Sequence, residues 1–427
     1  MKTLIDNAYA LLPDGDGLKI ERTSIAVDGS VISAIGEIPQ DFSANHRING
    51  KNRLVIPGLV NCHTHAYMSV FRNLADDLAF SDWLFGNILP REDKLTPEDA
   101  RCGAMLSCAE MIKTGTTAFL DMHMFGGMSA SAAVETGLRG VMSRGLVGES
   151  ADDEGGLRRL AEAEEEMKAF SNESRISFML APHAIYTCSE DYLRLVSERA
   201  LQLEAGIHIH LSETRYEVEQ CLLQHGRTPV KYLYDLGMFR NRTVAAHCVH
   251  LTEEDMDILA ECGVSAVHNP KSNMKLGNGF ADVVSLGRHG VNVCLGTDSQ
   301  ASNNSLNLFS EMSFMSLIHK GTSENAQTVS AGEVLRSATV NGAAALGLDG
   351  CGSIEVGNKA DLVLLDIDCP QFCPHNNLMS ALVYSANGSE VDTVLVDGCT
   401  VLENKRLTRA DEEKIYFEAQ RVADRLK

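Results

Sequence analysis

The chain is predicted to be an α/β protein, a (β/α)8 barrel of the TIM type with a smaller β-rich part beside it, and three observations predict this. Eight short apolar runs rich in Val, Ile, Leu or Ala alternate with amphipathic helical stretches, the texture of a parallel sheet wrapped by helices. The length of 427 residues exceeds the usual single domain, and a barrel of about 250 residues with a companion accounts for it. Both chain ends carry short strands broken by turns, and the two ends are expected to meet in one sheet.

In chain order, Ser24 to Val27 and Val31 to Ile35 read as strands joined by the Asp28-Gly29-Ser30 turn. The barrel runs follow, ending near His63, Met122 or His123, Arg144, His183, His210, His247, His268 and Asp298. Helix punctuation agrees with them. Thr96, Pro97, Glu98 and Asp99 supply an N-cap, a first-turn proline and acidic residues, and Gly115 stops that segment. Ser330 with Glu333 reads as a capping box. Strand texture returns at Asp361 to Asp366 and Val391 to Gly398, before a polar helix from Asp411 to Leu426. The expected division is residues 1–56 plus 349–427 for the small β-rich part and 57–348 for the barrel.

Composition narrows the function. Hydrophobic residues make up 44% and charged residues 22%, ordinary for a folded globular protein. The formal net charge of -21 repels phosphate backbones and anionic lipid headgroups, so neither nucleic acid nor membrane is an expected partner. A small-molecule substrate fits better. The N-terminal residues lack the apolar core of a signal peptide, and no run of about 18 apolar residues occurs, so a cytoplasmic protein is expected. The 12 cysteines are irregularly spaced and read as buried small hydrophobes. Cys369, Cys373 and His375 lie close together but offer no fourth ligand, which disfavours a second metal site there.

Polar residues at the strand ends are the main clue to chemistry, because barrels of this kind draw catalytic groups from the carboxyl ends of several strands. Eight histidines, at positions 63, 65, 123, 183, 210, 247, 250 and 268, sit at or just after such an end. Residues i and i+2 of a strand point the same way, so His63 and His65 can converge on one ion. His210 and Asp298 end two other runs. Three imidazoles and a carboxylate suit Zn²⁺, with iron and manganese as alternatives, and an open position leaves room for water. His208 shares the inward parity of His210 one layer lower, and is expected to fill the barrel interior.

The segments Pro57-Gly-Leu-Val-Asn-Cys-His-Thr-His, His208-Ile-His-Leu-Ser-Glu, Ala246-His-Cys-Val-His, His268-Asn-Pro-Lys-Ser-Asn and Leu295-Gly-Thr-Asp resemble the amidohydrolase superfamily over nearly the whole chain. Within it the chain is most similar to the 5'-methylthioadenosine/S-adenosylhomocysteine deaminases, on Trp83-Leu, Leu89-Pro-Arg-Glu, Ser143-Arg-Gly-Leu, Pro182-His and Ala301-Ser-Asn-Asn. The resemblance implies a distorted barrel beside a β-sandwich built from both termini. It implies one metal per subunit on His63, His65, His210 and Asp298, since Ala181-Pro-His183 stands where binuclear members place a carboxylated lysine.

The implied reaction is hydrolytic loss of the 6-amino group from an adenosine-type nucleoside, with the metal lowering the pKa of a water from about 15.7 toward 7. Asp298 would accept the water's proton, Glu213 would protonate ring N1, and His247 would orient or stabilise the hydroxide. Glu92 would meet the ribose hydroxyls, His183 the nucleoside, and Trp83 would form a wall. Arg144 and either Arg158 or Arg159 would meet a polar substrate tail. Members of this family commonly form homo-oligomers. The rivals are an amidohydrolase acting on guanine, an 8-oxopurine or a chlorinated triazine, and a non-catalytic scaffold, which would have no use for the intact ligand set.

Overall fold

A computed structural model describes the backbone of residues 1–427 and every side chain except that of Phe80. The barrel strands are β6 (Leu59–Thr64), β7 (Thr116–His123), β8 (Arg139–Leu146), β9 (Ile176–Pro182), β10 (Gly206–Leu211), β11 (Thr243–His247), β12 (Ser265–His268) and β13 (Asn292–Leu295). They lie side by side in sequence order, all parallel. Most are buried on both faces, which is why they read as apolar runs rather than alternating ones. The ring is drawn together beyond β13, where the Asp298 N–H donates to the His63 carbonyl at 2.9 Å and the Thr297 N–H to Asn61 Oδ1 at 3.0 Å.

Val60, Cys62, Leu120, Val141, Val244 and Cys294 fill the interior below the histidine layer. Helix Val340–Leu346 closes the floor, and Gly342 lets it in: a Cβ there would stand 2.9 Å from Val60 Cβ and 3.0 Å from Cys62 Sγ. Helix Pro97–Lys113 begins at Thr96 with a full capping box to Asp99, and Ser330 with Glu333 makes the second expected box. The sequence signals were local, and local hydrogen bonds answer them.

The termini build one nine-stranded sheet from β1 (Lys2–Asp14), β2 (Gly17–Asp28), β3 (Val31–Ile35), β4 (His46–Asn49), β5 (Arg53–Pro57), β14 (Leu362–Asp366), β15 (Val391–Val396), β16 (Cys399–Glu403) and β17 (Arg406–Leu407). Strand β5 lies between β1 and β14, so N- and C-terminal segments share the sheet. The 13-residue β1 has no counterpart in the sequence reading; a register shift between Ile5 and Ala8, with Asn7 at φ 56°, breaks its alternation. Ile5, Leu12, Ile25, Val55, Leu362 and Leu395 form the apolar core of this part.

The buried pair of Arg139 on β8 and Asp361 ties sheet to barrel, with Nε to Oδ2 at 3.0 Å and Nη2 to Oδ1 at 3.2 Å. The cysteines are free thiols, most of them buried. His375 bonds the Ile367 carbonyl and Cys369 the Asp366 carbonyl, so neither is turned to a shared ion. Among the described residues, no helix is long and apolar enough to cross a membrane.

Candidate active site

Strand β6 delivers His63 and His65 to the carboxyl end of the barrel, β10 delivers His210, and the turn after β13 delivers Asp298 in a left-handed conformation at φ 60°. The four meet. Asp298 Oδ1 lies 3.7 Å from His63 Nε2 and 3.6 Å from His65 Nε2, and His210 Nε2 lies 3.3 Å from His65 Nε2. His63, His65 and Asp298 offer ligand atoms all within 4.8 Å of one another, and so do His63, His210 and His247.

Whether these groups suit a cation is decided by their other contacts. His65 Nδ1 faces the Met122 carbonyl and His210 Nδ1 the His183 carbonyl, each at 2.9 Å, so each Nδ1 donates and leaves an Nε2 lone pair pointing inward. His63 Nδ1 lies 2.8 Å from His208 Nε2, His208 Nδ1 lies 2.8 Å from Ser143 Oγ, and that hydroxyl donates to the Asp121 carbonyl. The relay gives His63 the same tautomer. Its buried Nε2 has no protein partner, although leaving such an atom unsatisfied is costly. Burial pushes the His63 and His210 imidazoles well below their ordinary range, with neighbouring histidines adding to it, so both stay neutral as ligands must. The donor set fits a divalent metal.

His247 differs. Its Nδ1 accepts from Asn273 Nδ2 at 3.0 Å, so its proton sits on Nε2, 3.7 Å from Glu213 Oε2. A protonated nitrogen cannot ligate; this one is free to donate to a group bound beside it. Asp298 Oδ2 accepts from Ser272 Oγ at 2.5 Å and Ser302 Oγ at 2.9 Å, and Oδ1 accepts from the Ser299 N–H at 2.6 Å, which leaves Oδ1 to face the imidazoles.

Glu213 is buried, with Oε1 accepting from Asn278 Nδ2 at 2.9 Å. Burial first, then the charge of Asp298, pushes its carboxyl up to about 8, so it holds a proton near neutrality. It stands at one side of a cavity of about 710 Å³ walled by Leu84, Phe85, Ile185, Tyr186 and Tyr216. Glu92 is also buried, bonded by the Tyr67 hydroxyl, and burial pushes it up to about 7. Trp83 packs with Tyr67, Phe71 and Ile88, its indole N–H on the Ala301 carbonyl at 3.2 Å. The His183 ring lies 4.7 Å from that of His210, and its Nδ1 is 3.1 Å from Thr187 Oγ1.

The arginines lie apart from this cluster. The Arg144 guanidinium is engaged by the Met124 carbonyl, Glu162 and Glu166. Arg158 is solvent-exposed, 3.9 Å from Glu162, and Arg159 donates to the Val147 carbonyl at 3.1 Å. His123 accepts from the Phe125 N–H and packs against Tyr67, while His268 faces His319. The sequence reading missed His208 as the orienting partner of His63, and also Ser143, Ser272, Ser302, Asn273 and Asn278. Inward parity was the one available signal for His208. Ser143, Ser272, Asn273 and Ser302 lie inside the segments that carry the resemblance, with no role read for them, and Asn278 lies outside those segments.

A model of the amidohydrolase family matches residues 54–401. A protein of Thermoanaerobacter pseudethanolicus named 5-methylthioadenosine/S-adenosylhomocysteine deaminase is 46% identical, covering 100% of this chain and 99% of its own. A Methanosarcina mazei protein named 5'-deoxyadenosine deaminase is 43% identical, covering 99% and 98%. The crystal structure of an adenosine deaminase from Xanthomonas campestris with bound zinc superimposes with a TM-score of 0.94 at 33% identity, covering 99% of this chain and 98% of that one.

Proposed function

The chain belongs to the amidohydrolase family, and from that premise we propose that it is a metal-dependent aminohydrolase that removes the 6-amino group of adenosine-type nucleosides as ammonia. Candidate substrates are 5'-methylthioadenosine, S-adenosylhomocysteine and adenosine, each leaving the inosine analogue. The relatives named for such reactions support this reading. The observation that carries it is a buried glutamic acid, Glu213, whose Oε2 lies 3.7 Å from Nε2 of His247, a ring that stands with His63 and His210 at the candidate metal centre.

His63, His65, His210 and Asp298 would hold one divalent ion per subunit, most simply zinc. When bound, such an ion polarises a water and brings its pKa toward neutrality. Asp298, its Oδ2 pinned by two serine hydroxyls, takes the proton of the attacking water through Oδ1. Glu213 gives its proton to N1 of the purine as C6 becomes tetrahedral, and His247 Nε2–H donates to the oxygen added there. As the C6–N bond breaks, Asp298 passes its proton to the amino group, which leaves as ammonia, while the C6 hydroxyl proton returns to Glu213. Glu92, with one oxygen already held by Tyr67, binds the ribose hydroxyls, beside His183 and Trp83. Arg144 is shared between Glu162 and Glu166, so a carboxylate on the 5' substituent would compete with two acids for one guanidinium.

A screen for ammonia release from methylthioadenosine, adenosine, S-adenosylhomocysteine, adenine, guanine and a chlorinated triazine, with zinc supplied, tests the proposal. Turnover of the nucleosides is expected. Release from a free base with none from any nucleoside would overturn it.

A further inference from the structure

The proton chemistry proposed above depends on where the Glu213 carboxyl sits, and a second buried acid controls the peptide that carries it. Glu217 lies in the first turn of helix Arg215–His225, and the residue is 3% exposed. Its own N–H is capped by Thr214 Oγ1 at 3.1 Å, so the helix start is satisfied without the side chain. That side chain turns back instead. Oε1 accepts the Ser212 N–H at 2.9 Å and Oε2 accepts the Glu213 N–H at 2.8 Å.

Two consecutive N–H groups aimed at one carboxylate need a kinked backbone, and Ser212 supplies it with φ of 50°. The other side of the same peptide is held too. The Ser212 carbonyl accepts from the N–H groups of Val249 at 3.1 Å and His250 at 3.0 Å, and the Leu211 carbonyl accepts from that of Cys248 at 3.0 Å. His247 and Cys248 are themselves left-handed, at 76° and 49°. Peptide 212–213 therefore clasps the end of β10 to the turn behind His247, and the two carboxyl oxygens of Glu217 are the buried acceptors that close the clasp.

We infer that Glu217 is a positioning residue of the reaction, acting through Glu213: its two hydrogen bonds set the place from which the Glu213 carboxyl meets the purine ring. A purely structural acid would serve the helix start or a salt bridge. Here Thr214 serves the helix, and both carboxylate oxygens are spent on backbone N–H groups beside the proposed proton donor. Glutamine keeps the shape but turns an NH₂ against one of those N–H groups. Aspartate keeps both acceptor oxygens but withdraws them by one methylene.

The inference rests on the proposed role of Glu213, so the test separates the two. Steady-state rates on methylthioadenosine with zinc are measured for E217Q, E217D, E213Q, E213D and E213D/E217Q, together with bound-metal stoichiometry and Tm. E217Q is expected to lower kcat by about 10- to 100-fold, the effect of a misplacement of about 1 Å, with KM within about 3-fold and full metal content. E217D should fall between E217Q and the native enzyme. In the E213D background, where the acid is already withdrawn, E217Q should add less than about 3-fold.

A kcat for E217Q within about 3-fold of native, losses that multiply in the double variant, or a rate lost in step with bound metal would each overturn the inference. Should E217Q not fold, E217D carries the comparison, and native kcat in E217D overturns it equally. Native kcat in E213Q would withdraw the role of Glu213, and this inference with it. A slow E213Q beside a fast E217Q overturns the inference alone.

Discussion

Each imidazole at the centre is set by the atom behind it, and the most consequential of these is in His208, whose Nε2 accepts the hydrogen bond of the His63 Nδ1–H. Replacing His208 with leucine removes that acceptor while filling similar volume, and His63 is then free to choose the wrong tautomer. Metal affinity is expected to fall about 10- to 100-fold, read by competition with a chromogenic chelator. The sequence placed His208 inside the barrel yet made it filler, because parity tells which way a side chain points and not what it touches across 145 residues of chain. His63, His65, His210 and Asp298 were legible because each ends a strand with a recognisable local pattern. The roles of the serines and asparagines that orient them are not, even where these fall inside the quoted segments, since hydroxyls and amides are common in any loop.

Glu92 offers a test at the same scale. Burial raises its carboxyl in the folded protein from 4.5 to about 7, so the folded state binds that proton more tightly than the unfolded chain does. Its contribution is complete below about pH 4.5 and disappears as pH rises through about 7, a difference of about 3 kcal/mol. E92Q imitates the protonated form, and its stability should exceed that of the native chain at pH 8 by more than at pH 5, measured by denaturant melts at both pH values. Equal differences at the two pH values would count against a buried, proton-holding Glu92.

Among the elements, helix Pro97–Lys113 shows how far local signals reach. Thr96 and Asp99 exchange hydrogen bonds as the capping box requires, and Thr96→Ala is expected to cost about 1 kcal/mol, seen as a lowered denaturant midpoint. Strand β1 shows where they stop. Its irregular step at Asn7 spoils the two-residue period by which a strand is recognised, and only pairing with β2, β4 and β5 defines it. Barrel strands escaped that ambiguity because burial on both faces makes them continuous apolar runs of the right length.

For the whole molecule, the joint between sheet and barrel is the exposed weakness. Arg139 and Asp361 pair bidentately and out of water, so Asp361→Asn leaves the buried guanidinium with Asp397, 3.5 Å from Nη2, as its remaining acidic partner and should cost about 3 kcal/mol. Loss of Tm without loss of the metal donors' geometry is the expected outcome; an unchanged Tm would show that the joint carries little. That two chain ends would share a sheet was legible from their matching strand texture. The specific buried ion pair was not, because its partners are 222 residues apart.

The seat of β5 between β1 and β14 has a consequence for biosynthesis. Strand β5 runs straight into β6, which leads to His63 and His65, yet one of its two neighbours, β14, follows the whole barrel in the chain. A nascent chain exposes these donors early and braces the strand that leads to them late. Loading with metal is thus best completed once β14 has been made, and truncations that remove β14 while sparing every proposed catalytic group should yield poorly metallated protein.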